Sequence, residues 1–123
     1  MPSNLDLKIS KKDHNLIREL DQNIRNYVKE FGNNKDSELL DQAIADIHKH
    51  HENQIRKSGQ PFIIHPLRVA NYICRAGLDA PTVVASLLHD IIEDTNMIHN
   101  DIQKRYGPWY AEIVTGLTKI KKQ

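Results

Sequence analysis

Four ionisable side chains crowd the segment Leu87-Leu88-His89-Asp90-Ile91-Ile92-Glu93-Asp94, which is otherwise leucine and isoleucine. Stepped at about 100° per residue, the spacing of a helix, the segment divides cleanly. Val83, Val84, Leu87, Leu88, Ile91 and Ile92 fill one half, while Ser86, His89, Asp90, Glu93 and Asp94 share the other without a lysine or arginine. His89 lies one turn from Glu93, and Asp90 one turn from Asp94. A face of carboxylates repels itself unless a cation is near. Imidazole beside carboxylate suits a divalent transition metal. The competing reading is the solvated side of an ordinary amphipathic helix, and a His-Asp dipeptide alone does not separate the two.

One helix cannot close a coordination sphere, so another element must supply a ligand. His65, between Ile64 and Pro66 where a loop enters a helix, is the best candidate; a helix-entry histidine bonded to a backbone carbonyl is the equal alternative. Upstream, Arg56-Lys57-Ser58-Gly59 puts two cations, a hydroxyl and a flexible residue together. A guanidinium stacks on bases and an ammonium offers a point charge to phosphate, although a solvated turn reads the same way. His48, His50 and His51 lack the i, i+4 spacing of a metal pair and are expected on a solvated turn. His14 and His99 have no partners in sequence.

The elements that position these groups are all helical. Leu16, Ile17, Leu20, Ile24, Tyr27, Val28 and Phe31 predict an amphipathic helix over about 11–31, stopped by Gly32-Asn33-Asn34 in a left-handed cap. Asp36 or Ser37 then caps a second helix carrying Leu39, Leu40, Ala43, Ile44 and Ile47. Gly59 and Pro61 mark a loop. Pro66 suits the first turn of a third helix, expected over 67–76 and ended by Gly77. A fourth helix is expected from Pro81 to Glu93 or Asp94, a short one from Ile98 to Tyr106, and a last one carrying Trp109, Ile113, Val114 and Leu117 into a basic tail. No alternating segment of strand length appears, so the fold class is all-α. Residues 1–34 read as an N-terminal leader helix on a body formed by 35–123.

With 123 residues, 39% hydrophobic and 27% charged, the chain suits one soluble domain. A net charge of +1 gives no global field for nucleic acid or a membrane, so an anionic partner needs a local basic patch. The single cysteine, Cys74, forms no internal disulfide and suits a reducing cytoplasm. Residues 1–12 lack the apolar stretch of a secretory signal, and no run reaches the roughly 18 apolar residues of a membrane span.

Three segments read together carry a resemblance: His51-x-x-Gln54-x-Arg56-Lys57-Ser58-Gly59, Pro61-Phe62-Ile63-Ile64-His65-Pro66-Leu67, and Leu87-Leu88-His89-Asp90-Ile91-Ile92-Glu93-Asp94-Thr95. Their order and spacing resemble the hydrolase domain of the Rel/Spo alarmone family, within the His-Asp (HD) phosphohydrolase superfamily. Gly77-Leu78-Asp79-Ala80, Arg105-Tyr106-Gly107 and Gly116-Leu117-Thr118-Lys119 support it, and the likeness covers about 39–121. It implies an HD-domain helical bundle that removes pyrophosphate from the 3′ position of guanosine tetra- or pentaphosphate, (p)ppGpp, giving GDP or GTP, with Mn2+. By resemblance His65, His89 and Asp90 would ligate the metal, Glu93 and Asp94 would handle the attacking water, Arg56 would stack on guanine, and Lys57 and Ser58 would lie close to the nucleotide.

The chain also departs from the family pattern. The family's fourth ligand is an aspartate on a later helix, followed closely by an asparagine; the sequence stops at Gln123 before that segment, and Asp101 comes too early to match. The bundle is therefore expected to be C-terminally incomplete, with weaker metal binding and apolar surface available for self-pairing. Asn53 stands where glycine is customary. Two rivals follow: an HD phosphohydrolase of another nucleotide, and a non-catalytic module that binds nucleotide or a partner chain. A synthetase domain in the full-length protein is a further expectation.

Overall fold

The computed structural model describes residues 9–51, 54–94 and 99–122; of the side chains at Asp90, 92–94 and 117–122 nothing is described. Among the described residues there are six helices: α1 (Lys11–Phe31), α2 (Asn34–His51), α3 (Ile64–Arg75), α4 (Ala80–Asp94), α5 (His99–Tyr106) and α6 (Pro108–Lys122). The one β feature among them is an isolated bridge between Ile55 and Pro61. The all-α expectation holds, and no helix described is long and apolar enough to cross a membrane.

Each boundary has a local cause. The Ser10 side chain accepts from the Asp13 amide at 3.0 Å and starts α1. At the head of α2 the Asn33 side chain accepts from the Asp36 amide at 2.8 Å, while the Asp36 carboxylate accepts from the Asn33 amide at 2.9 Å. That reciprocal box makes Asn33 the cap and Asp36 its partner, correcting the expected cap at Asp36 or Ser37. Gly32 is extended, at φ −103°, and not left-handed. Space is what demands glycine there: an added Cβ would lie 2.8 Å from the Val28 carbonyl oxygen and 2.9 Å from Ala80 Cβ. Asp79 caps α4 by accepting from the Thr82 amide at 3.0 Å.

α4 is the central helix and packs against α1, α2, α3 and α6. Its buried residues include Ala80, Val83, Val84, Ala85, Leu87, Leu88 and Ile91. Around it Leu20, Ile24 and Val28 of α1, Leu40, Ile44 and Ile47 of α2, Ile64 and Leu67 of α3, and Val114 of α6 close one hydrophobic cluster. Each such side chain contributes about 1.5–3 kcal/mol when taken from water. The leader helix thus shares the core of the body it precedes.

Polar contacts fix the outer helices. Arg25 bonds Asp21 at 2.7 Å and reaches Asp41 on α2. The Tyr27 hydroxyl donates to the Leu78 carbonyl at 2.5 Å, holding α1 to the α3–α4 turn. Asp46, buried on α2, accepts two bonds from Arg105 at 3.0 and 2.7 Å and a third from the Tyr106 hydroxyl. Burial, reinforced by Asp46, raises the Tyr106 phenol well above its ordinary value and keeps it a donor.

Candidate functional site

The short link 76–79 folds α3 back along α4. Ten residues run from His65 to Arg75, and ten from Ala80 to Asp90. At about 1.5 Å of rise per residue in both helices, His65 and the His89-Asp90 pair each lie about ten residues of helix from the link, toward the same end of the hairpin. Two stretches far apart in the motif order thereby share one end of a helical hairpin.

His65 sits in the first turn of α3, which begins at Ile64, three residues earlier than the expected Leu67. The chain enters through a tight turn in which the Ile64 amide donates to the Pro61 carbonyl at 3.2 Å and the His65 amide to the Phe62 carbonyl at 3.0 Å. Pro66, also in that first turn, has no amide to leave unpaired. The His65 ring is half-buried and lies in an edge-on arrangement with Phe62, 6.1 Å between centroids. His89 is also half-buried, on the side of α4 that carries Ser86. That environment is neither a fully solvated face nor the sealed core, and it fits imidazoles that approach a ligand.

Arg56, Lys57 and Ser58 are exposed on a loop that is ordered at its base. The Arg56 amide donates to Gln60 at 2.9 Å, the Gly59 amide to Arg56 at 2.8 Å, and the Phe62 amide to Gln54 at 2.9 Å. Gly59 takes φ +90°, a conformation that disfavours a side chain, and so lets the loop turn back within a few residues. The bridge from Ile55 to Pro61 ties the basic loop to the turn that launches His65. Two open clefts of about 670 and 500 Å³ lie along the groove between α1 and α3, the larger reaching Gln60 at the base of the loop.

Asp90, Glu93 and Asp94 lie on the helical backbone of α4, but their side chains are outside the described residues. No group of three His, Cys, Asp or Glu able to hold a metal occurs among the described residues. The donor chemistry fits a divalent ion: two half-buried imidazoles on adjoining helices, with an acidic sequence following His89.

The expectation that His51 sits on a solvated turn is overturned. His51 ends α2 with 0% exposure, its ring stacked on Phe62 at 4.6 Å and 28° between planes. It continues the stripe of Leu40, Ile44 and Ile47 at i+4, and that signal was present in the sequence. Asp46 lies on the same side, three residues after Ala43.

Residues 43–123 match the family described as HD domain. Over 86 residues the chain is 42% identical to a guanosine-3′,5′-bis(diphosphate) 3′-pyrophosphohydrolase of Aquifex aeolicus, covering 70% of this chain and 12% of that protein. It is 38% identical over 107 residues to the bifunctional (p)ppGpp synthase/hydrolase SpoT of Escherichia coli, covering 87% of this chain and 15% of the relative. A GTP pyrophosphokinase of Myxococcus xanthus is 36% identical over 95 residues, 77% of this chain and 12% of that protein. The chain thus spans about an eighth of the length of these curated relatives. With the family match running through both α3 and α4, and with relatives of this kind, the chain belongs to the HD-domain family, on its Rel/Spo branch.

Proposed function

We propose that this chain is the metal-dependent hydrolase domain of an alarmone-turnover protein, cleaving the 3′-pyrophosphate from (p)ppGpp. What supports the reading is that His65 and the His89-Asp90 pair lie at about equal helical rise from the α3–α4 link, with a basic loop pinned to the turn before His65. His65, His89 and Asp90 would hold the ion, read as Mn2+ by resemblance. When bound, such an ion polarises a phosphoryl oxygen and lowers the pKa of its water. Arg56 stacks on the guanine, and Lys57 and Ser58 meet the phosphates. Glu93, one turn beyond His89, takes the proton of the attacking water, and Asp94 orients that water. Water oxygen joins the departing pyrophosphate, the ester bond to the ribose 3′ oxygen breaks, and that oxygen leaves with a proton.

The relatives' names include both hydrolases and GTP pyrophosphokinases, which supports a synthetase domain in the full-length protein. The proposed nucleotide and the single buried thiol support a cytoplasmic setting. The test is release of pyrophosphate by the purified chain with Mn2+, offered ppGpp, GTP and deoxynucleotides in parallel. Cleavage of ppGpp above the others, lost in His89→Ala, supports the reading. Cleavage of another nucleotide makes it a different HD phosphohydrolase. Binding of ppGpp or a partner chain without turnover and without Mn2+ uptake makes it a non-catalytic module. Gel filtration of the same samples reads self-association.

A further inference from the structure

A wholly buried imidazole that leaves one ring nitrogen unpaired is an unfavourable choice for a core stripe. His51 makes that choice. Its Nδ1 donates to the Gln54 side-chain oxygen at 3.0 Å; the Gln54 amide nitrogen is turned to the His50 carbonyl at 3.3 Å, which leaves its oxygen as the acceptor. Nε2 has no hydrogen-bond partner among the described residues. Leucine at i+4 from Ile47 would fill the stripe without that cost. What the imidazole adds is a flat face and one directed bond, and both lead toward the site. The face stacks on Phe62 at 4.6 Å, and Phe62 in turn presents itself to the His65 ring at 6.1 Å and 62°. The bond holds Gln54, whose carbonyl receives the Phe62 amide at 2.9 Å, so His51 grips Phe62 through its ring and through its backbone.

We infer that His51 is a positioning residue: through Phe62 it sets the orientation of the His65 ring before any ion arrives. The inference rests on the reading of His65 as a metal ligand, and it adds a residue that touches neither ion nor nucleotide. A ligand whose ring is already oriented loses less freedom on binding, so disturbing such a support typically weakens metal affinity about 10–100-fold.

The test compares the full chain with His51→Leu, His51→Phe and Phe62→Leu, first without metal. The aromatic proton–carbon spectrum reports the His65 ring protons, which the neighbouring Phe62 ring displaces. His51→Leu keeps or gains thermal stability, because the unpaired nitrogen is gone, yet its His65 signals move and broaden. His51→Phe preserves the stack and leaves the His65 signals near their original positions. Phe62→Leu removes the relay itself and displaces them whatever stands at 51. In Mn2+ titration, His51→Leu and Phe62→Leu then bind at least about tenfold more weakly, and His51→Phe does not. Unchanged His65 signals in His51→Leu or Phe62→Leu would overturn the inference, and so would weaker binding that merely tracked lost stability. Failure of the unaltered chain to bind Mn2+ would sink the metal reading instead, while the metal-free spectra would still decide the role of His51.

Discussion

At Cys74, burial works against reactivity. The thiol lies against the core, and removal from water pushes it up to about 11 from an ordinary 9.0. A folded value above the unfolded one means the stabilising effect is whole below pH 9.0 and fades as pH rises toward about 11. Denaturant midpoints taken at pH 8 and pH 10.5 should therefore fall less in Cys74→Ala than in the parent chain. Alkylation at neutral pH should proceed only as fast as the protein opens. At the same scale, short local motifs single out His65 and His89, and both are half-buried on adjoining helices. His51 was misjudged, because together with His48 and His50 it reads as a solvated turn. Only its place four residues beyond Ile47 marks it as buried, and its partner Phe62 comes from across a loop.

Helix by helix, the periodicity of apolar residues identified every element described, while the junctions depended on contacts that no local pattern displays. Gly32 is the clearest case. It reads as a left-handed stop, but it is an extended residue at the point where the end of α1 meets the start of α4. Gly32→Ala should lower stability by about 1–3 kcal/mol, because the backbone oxygen of Val28 and the Ala80 side chain must both yield. Chemical denaturation measures it; a loss no larger than an exposed Gly→Ala change would contradict the close approach. The tie between α2 and α5 was equally hidden. Asp46 appears as one more charge on a mixed helix until Arg105 and Tyr106 fold onto it. Asp46→Ala leaves a buried phenol and a partly exposed guanidinium without their acceptor, at a cost of about 2–3 kcal/mol. Asp46→Asn keeps one acceptor oxygen and should cost less. Thermal melts of the two variants give the order.

For the molecule as a whole, the candidate site draws on the two halves of a helical hairpin and on the loop before it, so on the proposed reading ion binding and folding are linked. Unfolding parts His65 from the His89-Asp90 pair, and an ion that needs all three binds the unfolded chain poorly. Any such ligand adds stability as RT ln(1 + [L]/Kd), about 2.7 kcal/mol at a hundredfold excess over Kd. For a domain of this size that is a rise of roughly 10 °C in Tm. Scanning the chain with increasing Mn2+ should therefore give a midpoint that climbs logarithmically and never saturates at a fixed stoichiometry of added ion, the signature of mass action rather than of a salt effect. Magnesium at the same ionic strength, a harder ion less suited to imidazole, should raise it far less. His89→Ala should flatten the Mn2+ response, read against the variant's own metal-free midpoint. A Tm indifferent to Mn2+, or one raised equally in His89→Ala, would separate the hairpin from the chemistry assigned to it. The described residues would then be a helical scaffold whose motif residues serve some other ligand.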